Sequence, residues 1–261
     1  MVDTAVELKN FAFRYDKGNV LNDINLSIVK GEYVSIIGPN GSGKSTLLKC
    51  LNRVVKGGEG TINIMGKSMF GYSQKELAKS VAYVPQHLSS AFSYTVDEFV
   101  TMGRYPYLKA FSPMTSEDQQ AVEKAVQLTG LSDLRLRPLN QLSGGERQKT
   151  YLAAALAQEP DILLLDEPTT HLDPKFQKDV QKTVCDVSRN LGITVLHVTH
   201  DLNHILTWSE KIVALKAGHV CYYGLSKDVM TADHLKNVFE TDFHLLADPV
   251  EGHPIIVPEA H

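Results

Sequence analysis

Glycines, a lysine and a serine near residue 40 are spaced as in a loop that binds phosphate. In the pattern Gly38-x-x-x-x-Gly43-Lys44-Ser45, the glycines allow the backbone to curl so that successive N–H groups point towards phosphate oxygens. Lys44 is expected to contact the outer phosphates as a point charge, and the Ser45 hydroxyl is expected to bind a magnesium ion. The residues predicted to form this cradle are Gly38, Pro39, Asn40, Gly41, Ser42, Gly43, Lys44, Ser45 and Thr46.

The sequence on both sides of this loop indicates the elements that position it. Residues 32–37 are apolar and rich in β-branched side chains, which predicts a short strand. The residues from Lys44 to Arg53 have helical spacing, and a helix that begins near Lys44 directs the positive end of its dipole at the phosphates. The alternative is a glycine- and serine-rich turn that happens to contain a lysine. The order of strand, loop and helix disfavours that alternative.

Two adjacent carboxylates follow a second apolar run. Ile162 to Leu165 predict a buried strand, and Asp166 and Glu167 come at its carboxyl end, where open α/β sheets bind ligands. Such a pair suits phosphoryl transfer, because Asp166 can hold magnesium while Glu167 polarises the attacking water. A helix cap would explain one acidic residue here, but hardly two.

Gln86 and His200 stand at the ends of two further predicted strands, residues 80–86 and 193–199. Both side chains are therefore expected at the carboxyl edge of the sheet. His200 and His204 also have the i, i+4 spacing of a zinc-protease motif. Metal binding by this pair is disfavoured because it lies at a strand end rather than within a helix, and phosphate-binding residues already occupy that edge.

Ser143, Gly144 and Gly145 open a predicted helix that runs to Ala157. Ser143 and Glu146 have the spacing of a capping box, so an ordinary helix start is one explanation. Two glycines in a first turn each cost roughly 1 kcal/mol relative to alanine, which suggests a need for open backbone. With N–H groups at a helix N-terminus, these residues are predicted to form a second anion site on the same chain.

Tyr15 ends the first of two predicted N-terminal strands, residues 6–15 and 20–28, which a turn at 16–19 joins. Alternation of apolar and polar residues over 24–28 suggests a sheet with one solvated face. Tyr15 is either an edge aromatic that covers the core or a ring that stacks on a nucleotide base.

The remaining pattern predicts an α/β fold with a helical insertion. From about residue 87 to 158 strand-like runs disappear, and Ser116-Glu117-Asp118-Gln119 has the form of a capping box before an amphipathic helix. We therefore predict a single domain over residues 1–261. It has a mixed-sheet core, an N-terminal antiparallel β region and an inserted α-helical subdomain at about 87–158.

The C-terminal part of the chain carries structural patterns but no readable chemistry. A hairpin is predicted over residues 211–224, with its turn at Ala217-Gly218. A helix near residues 232–240 and a short terminal stretch at 254–258 complete the prediction.

Composition narrows the function classes. With 43% hydrophobic and 21% charged residues, the 261-residue chain has the composition of a soluble globular protein with a sizeable core. A net charge of −4 gives no global basic field, so nucleic acid is not an expected partner. No apolar run approaches the roughly 20 residues that cross a bilayer, and the N-terminus lacks a secretion pattern. Three scattered cysteines suit a reducing cytoplasm.

Taken in order, these motifs resemble those of the ATP-binding subunits of ABC transporters over essentially the whole chain. The matching segments are Tyr15 as the aromatic loop, Gly38–Thr46 as Walker A, Gln86 as the Q-loop, Leu142–Gln148 as the signature, Ile162–Glu167 as Walker B, Asp173 as the D-loop and His200 as the switch histidine. Glu146 departs from the family consensus, which has Gln. The resemblance implies a P-loop NTPase fold with a RecA-like core, and an ATPase that uses ATP and Mg²⁺.

The resemblance also implies a head-to-tail dimer of two copies around two ATP molecules. In each site Glu167 would act as general base, His200 would bind the γ-phosphate, and Gln86 would sense magnesium and move the helical subdomain. The remaining residues implied to bind the nucleotide are Ser143, Gly144 and Gly145 of the second copy, together with Asp173.

Two segments, Met102–Tyr107 and Thr169–Asp173, look like those of importers for iron-siderophores, haem and vitamin B12. That group implies separate permease chains, a substrate-binding protein and a peripheral position on the cytoplasmic face of a bacterial or archaeal membrane. The surface at about 87–107 is expected to receive the permease's coupling helix. A soluble ABC ATPase without a transport role, such as one for iron–sulfur cluster assembly, is the alternative.

Overall fold

The computed structural model describes residues 3–16, 18–86, 93–109, 112–170, 172–247 and 254–259, and its fold is α/β, as predicted. The strands are β1 (Thr4–Tyr15), β2 (Gly18–Val29), β3 (Tyr33–Ile37), β4 (Glu59–Ile64), β5 (Lys67–Ser68), β6 (Val81–Val84), β7 (Ile162–Asp166), β8 (Thr194–Val198), β9 (Lys211–Lys216), β10 (His219–Leu225), β11 (Phe243–Ala247) and β12 (Pro254–Pro258). The helices are α1 (Lys44–Leu51), α2 (Gln74–Ser80), α3 (Val96–Thr101), α4 (Ser116–Leu128), α5 (Gly144–Ala157), α6 (Pro174–Leu191), α7 (Leu202–Trp208), α8 (Ser226–Val229) and α9 (Ala232–Phe239). Within the described ranges, every helix is too short or too polar to cross a membrane.

The described chain divides into two compact units. The first contains the residues up to Met69 and those from Thr194 onward, and the second contains Phe70 to Ile193. The second unit includes more than the predicted helical insertion, because strands β6 and β7 and helix α6 also belong to it. The bounds of about 87–158 for that insertion stay a prediction.

An antiparallel layer in the first unit has the strand order β2-β1-β4-β5. Alternation in the sequence builds it, since Ile24, Leu26 and Ile28 are buried and the residues between them are exposed. The two predicted N-terminal strands are confirmed with slightly longer bounds. Tyr15 pairs with Gly18, so the connecting turn is shorter than predicted.

A mixed sheet in the same unit positions the phosphate-binding loop. Strand β3 pairs in parallel with both β8 and β9, and β9 pairs with β10 as the predicted antiparallel hairpin. All five residues of β3 and of β8 are buried, which explains their continuous apolar character. The loop that follows β3 therefore lies at the carboxyl end of a central strand, next to the end of β8.

The second unit combines a parallel strand pair with helices. β6 and β7 are in register from Val81 opposite Ile162 to Val84 opposite Leu165. Between residues 93 and 158, the described ranges contain α-helices and 3₁₀ turns rather than strands, which confirms the helical character predicted there. The residues 87–92, at the start of the predicted insertion, lie outside the described part of the chain.

The cap of α4 differs from the prediction by one residue. Thr115, rather than Ser116, is the N-cap, and Asp118, rather than Gln119, completes the capping box. Asp118 decides this register because it is buried and also accepts a hydrogen bond from Arg104 at 2.9 Å. The Thr115 N–H and the Arg104 guanidinium both stabilise the carboxylate and hold the pKa of Asp118 below its usual value.

The C-terminal helix and terminal extended segment occur as α9 and β12, whereas β11 and α8 were not predicted. β11 and β12 form an antiparallel hairpin, with Leu245 opposite Ile256. Ile256 is buried in a cluster with Ile205 and Val238. The hairpin packs through Ile256 on residues from earlier elements of the chain, so the sequence around β11 carries little local signal.

A histidine buried in β8 makes the first unit sensitive to acid. His197 is 4% exposed, and its Nδ1 lies 2.9 Å from the Tyr33 hydroxyl. Burial lowers the pKa of His197 to about 4, although the negative charge of Asp201 opposes the shift. The folded state therefore holds a neutral imidazole at a pH where the unfolded chain already binds a proton.

We expect the free energy of unfolding to fall as the pH drops from about 6.5 towards 4. Above pH 6.5 both states hold a neutral ring and the contribution is fully present. Between the two pKa values only the unfolded state binds the proton, and this costs about 2 kcal/mol at pH 5 relative to pH 7. Urea unfolding at both pH values measures the loss, and His197→Gln, which does not titrate, is the control. An equal loss in wild type and variant would show that His197 is not responsible.

Candidate functional site

The loop between β3 and α1 has a backbone that only glycine can adopt at two positions. Gly38 and Gly43 have φ values of 147° and 101°, in the left-handed half of φ space. A Cβ atom at Gly38 would lie 2.0 Å from the carbonyl oxygen of Leu215, and one at Gly43 would lie 2.7 Å from Leu21 Cδ2. These two glycines are therefore required by the loop's path over the first unit.

Polar groups of this loop are arranged as an anion site requires. Lys44 Nζ donates hydrogen bonds to the carbonyl oxygens of Gly38 at 2.8 Å and Pro39 at 3.0 Å, so the ammonium lies across the loop. The buried hydroxyl of Ser42 has no hydrogen-bond partner among the described residues. Helix α1 begins at Lys44, and its N-cap Gly43 supplies no side-chain cap. Its first-turn N–H groups thus point into the loop without a side-chain acceptor from the cap.

His200 and Tyr15 belong to the same unit as this loop. His200 follows β8, and the N–H of the neighbouring Thr199 donates to the carbonyl oxygen of Ile36 at 3.2 Å. This bond ties the end of β8 to the strand that leads into the phosphate-binding loop. Tyr15 is 42% exposed at the end of β1, and its ring packs edge-on against Phe13. The ring is therefore held against a core aromatic and still contacts solvent.

The two carboxylates and Gln86 meet at the carboxyl ends of β6 and β7 in the second unit. Asp166 is the last residue of β7, is 2% exposed, and accepts a hydrogen bond from the Tyr83 hydroxyl at 3.0 Å. Gln86 Nε2 donates to Glu167 Oε2 at 2.7 Å. The side chains of Gln86 and Glu167 are 81 residues apart in sequence and in direct contact in the fold.

Glu167 is also held by its own turn. It has a φ of 50°, an unusual conformation for a residue with a Cβ atom. The Thr170 hydroxyl donates to Glu167 Oε2 at 3.2 Å. Sequence reasoning missed both Thr170 and Tyr83. The Tyr83 contact depends on strand register, whereas the Thr170 spacing of i+3 was a local signal that could have been used.

The segment Ser143 to Gly145 begins α5 as predicted. Ser143 is the N-cap, and its capping box with Glu146 is complete. The hydrogen bond from the Ser143 N–H lowers the pKa of Glu146. The two glycines differ: a Cβ at Gly145 would lie 2.3 Å from the ring of Phe176 on α6, while one at Gly144 would meet only Leu172 at 3.6 Å. Packing of α5 against α6 therefore requires Gly145, in addition to any need for open backbone.

Asp173 is the N-cap of α6. Its Oδ1 accepts hydrogen bonds from the N–H groups of Lys175 and Phe176, both at 3.1 Å, and Pro174 occupies the first helical turn. These bonds explain the residue as a helix cap, and its assignment to the nucleotide stays a prediction. His171 lies outside the described residues, as does the side chain of His204.

His200 and His204, which have the spacing of a zinc-protease motif, do not both lie at a strand end as expected. Helix α7 begins at Leu202 and includes His204. In the parts of the chain that the structure describes, no group of three potential metal ligands from His, Cys, Asp and Glu is found. The predicted magnesium ligands Ser45 and Asp166 belong to the first and second units respectively.

The comparisons with known sequences all indicate the same family. The sequence profile described as "ABC transporter" matches residues 21–170. The iron(3+)-hydroxamate import ATP-binding protein FhuC of Bacillus subtilis (strain 168) is 39% identical over 236 residues, which cover 90% of this chain and 88% of that protein. The ferric enterobactin transport ATP-binding protein FepC of Escherichia coli (strain K12) is 37% identical over 94% of this chain and 90% of that protein.

Solved structures agree with the sequence comparison. A metal-chelate type ABC transporter in an inward-facing conformation contains a similar chain, with a TM-score of 0.86 and 29% identity over 99% of this chain and 98% of that one. A dimeric ATP-binding cassette in a post-hydrolysis state with ADP and Pi has a TM-score of 0.73 and 32% identity, and it covers 85% of this chain and 98% of that one.

The different surroundings of the two signature glycines lead to a stability prediction. Gly145→Ala should lower the free energy of unfolding by about 1–2 kcal/mol, because overpacking against Phe176 exceeds the gain in helix propensity. Gly144→Ala, which adds the same methyl group one residue earlier, should be neutral or slightly stabilising. Urea unfolding measures both. Adding Phe176→Leu to the Gly145→Ala variant should restore part of the loss, and equal stability of the two single variants would contradict the packing explanation.

Proposed function

The chain belongs to the ABC transporter family as an ATP-binding subunit, and we propose that it powers the import of a ferric siderophore through separate permease chains. It is an ATPase, like the other ATP-binding subunits of this family. The proposal for the substrate class is supported by the relatives whose names specify iron-hydroxamate and ferric enterobactin. In this proposal the chain works at the cytoplasmic face of a bacterial or archaeal membrane, with a substrate-binding protein on the opposite side.

The contact between Gln86 and Glu167, beside Asp166, carries the proposal for the chemistry. We assign Glu167 as the general base that accepts a proton from the attacking water. His200 donates a hydrogen bond to the γ-phosphate, Lys44 contacts the outer phosphates, and Tyr15 stacks on the adenine. The loop N–H groups and the buried Ser42 hydroxyl supply donors that match phosphate oxygens.

The donor atoms of the proposed magnesium ligands suit that ion chemically. Mg²⁺ prefers oxygen ligands, and Ser45, Asp166 and Gln86 offer a hydroxyl, a carboxylate and an amide oxygen. Since Gln86 directs its amide nitrogen at Glu167, its amide oxygen is the atom left to serve as ligand. When bound, the ion neutralises charge on the phosphates. The protein residues orient the water and accept its proton.

A second copy of the chain is proposed to complete each site. Ser143 and Gly144 stand at the exposed N-terminus of α5, where N–H groups and the helix dipole favour a phosphate. The similar cassette with ADP and Pi is dimeric, which supports the same arrangement here. Head-to-tail pairing would bring the α5 N-terminus of one copy to the phosphate-binding loop of the other. Asp173 would keep α6 in place beside this interface.

A groove in the second unit is proposed to receive the permease. It encloses about 210 Å³ and is lined by Pro85, Phe99, Met102, Gly103, Tyr151 and Ala154, among others. Met102 is 44% exposed and the neighbouring Tyr105 is 67% exposed, so apolar surface is available to a helical segment. Residues 87–92 of the predicted docking surface lie outside the described part of the chain.

Buried contacts connect this groove to the strand that leads to Gln86. Arg104 is 3% exposed and donates hydrogen bonds to Asp118 at 2.9 Å and to the Ala157 carbonyl at 2.8 Å. Gln158, one residue further along, donates to the carbonyl oxygen of Val81 at 2.8 Å, where β6 begins. The segment from Met102 to Tyr105 is therefore fixed to the end of α5 through Arg104, and the end of α5 is fixed to β6 through Gln158. We propose that this connection relates permease position to Gln86.

Replacing Glu167 by Gln should lower ATP turnover by roughly 100-fold or more, since the amide cannot accept the proton of the attacking water. ATP binding should persist, so the variant should accumulate as an ATP-bound dimer. Phosphate release and light scattering after size-exclusion chromatography measure the two effects. Glu117→Gln, at an exposed position in α4, is the matched control. Full activity of Glu167→Gln would contradict the assignment of Glu167 as the general base.

The same variant tests import in the host. Cells that carry Glu167→Gln in place of the chromosomal gene should lose uptake of a ⁵⁵Fe-labelled siderophore, and cells with Glu117→Gln should keep it. Uptake assays with a panel of hydroxamate and catecholate siderophores identify the class of siderophore that is imported. If the variant has lost ATP turnover in vitro, normal uptake of every iron chelate in the Glu167→Gln strain would rule out siderophore import.

Met102→Glu should weaken copurification with a polytopic membrane protein by roughly tenfold or more, because a charge in an apolar groove must be desolvated on docking. The ATPase activity of the isolated chain should stay unchanged. Leu136→Glu is the matched control, since Leu136 is 85% exposed in the same unit but does not line the groove. Affinity purification from detergent-solubilised host membranes, followed by mass spectrometry, measures recovery. Equal recovery with both variants would contradict docking at this groove.

A further inference from the structure

Glu167 has a backbone conformation that needs support from its neighbours. Its φ of 50° lies in the left-handed region, which is unfavourable for a residue with a Cβ atom. The preceding residue, Asp166, is still part of β7, so the chain changes conformation within one step. Any group that fixes this turn also fixes the direction in which the Glu167 side chain leaves the strand.

Thr170 contacts Glu167 through both its main chain and its side chain. The Thr170 N–H donates to the Glu167 carbonyl oxygen at 3.3 Å and closes the turn. The Thr170 hydroxyl donates to Glu167 Oε2 at 3.2 Å. One residue thus holds the backbone and the carboxylate of the same glutamate.

Gln86 donates to the same carboxylate oxygen from a different segment. Its Nε2 lies 2.7 Å from Glu167 Oε2, so two donors converge on one oxygen. A carboxylate oxygen has two lone pairs, and two donors in different directions define the plane of the carboxylate. Gln86 approaches from the end of β6, and Thr170 approaches from the turn after β7.

We propose that Thr170 is a positioning residue for ATP hydrolysis, in which its hydroxyl orients the carboxylate of Glu167 towards the attacking water. The proposal rests on the assignment of Glu167 as general base. Thr170 acts through Glu167 and needs no contact with the nucleotide. Because its hydroxyl belongs to the same turn as Glu167, it orients the base from a different direction than the Gln86 amide does.

The exposure of Thr170 separates this role from a packing role. The residue is exposed, so its methyl and hydroxyl groups contribute little to the core of the second unit. Thr170→Val keeps the shape of the side chain and its backbone N–H but removes the donor. Thr170→Ser keeps the donor and removes the methyl group. The two variants therefore distinguish the hydroxyl from the rest of the side chain.

Steady-state ATP hydrolysis by the purified chain tests the proposal. Thr170→Val should lower kcat about tenfold with KM for ATP unchanged, because the base is misdirected while binding is intact. Thr170→Ser should restore most of the activity. Thr183→Val is the matched control, since the Thr183 hydroxyl donates to the Asp179 carbonyl within α6, away from Glu167. Wild-type kcat in Thr170→Val, or a loss that Thr170→Ser does not rescue, would overturn the proposal.

A double-mutant cycle with Glu167→Gln separates this inference from the proposed function. If Thr170 acts through Glu167, Thr170→Val should cause no further loss in the Glu167→Gln background, measured by phosphate release under single-turnover conditions over hours. A further tenfold loss in that background would show that Thr170 acts elsewhere and would overturn this proposal alone. Full activity of Glu167→Gln would overturn the base assignment and this proposal with it.

Discussion

The register between β6 and β7 is the constraint on which the proposed catalytic geometry depends. Val84 lies opposite Leu165, and Gln86 and Glu167 each follow two residues later. Parallel strands that end together thus bring an amide and a carboxylate into hydrogen-bond contact across 81 positions of sequence. A slip of one residue would place Gln86 level with Asp166 or Pro168 instead. Both strands are buried along most of their length, so a slip would mismatch the close packing of their side chains.

Glycine serves different purposes at the two predicted anion sites. At Gly38 and Gly43 the backbone has positive φ and passes close to other segments of the same chain. A side chain at either position would therefore clash with them even without a ligand. At Gly145 the backbone is helical, and the space of a Cβ atom is filled by Phe176. Gly144 alone has room for a side chain at the α5 N-terminus. A pattern of adjacent glycines can therefore combine one residue needed for packing with another that leaves the helix N-terminus accessible.

The sequence predicted those features that depend on neighbouring residues. β3 and β7 are short runs of buried side chains, and the loop and the acid pair that follow them are local patterns as well. Features that depend on contacts between separate elements were missed or misplaced. The cap of α4 is Thr115 because Arg104 holds Asp118, and β11 forms because β12 pairs with it. The bond from Tyr83 to Asp166 likewise exists only once the strand register is set.

Uncharged hydrogen-bond donors of the second unit contact the two adjacent carboxylates. Asp166 accepts a hydrogen bond from the Tyr83 hydroxyl, and Glu167 accepts bonds from the Gln86 amide and the Thr170 hydroxyl. Neutral donors fix the direction of a carboxylate without cancelling its charge, whereas an arginine in their place would form an ion pair and compete with a bound cation. These three donors therefore orient the two carboxylates without forming an ion pair with them, which suits the proposed roles of cation ligand and proton acceptor. Orientation by hydroxyl and amide groups thus reconciles fixed geometry with the charge that the proposed hydrolysis requires.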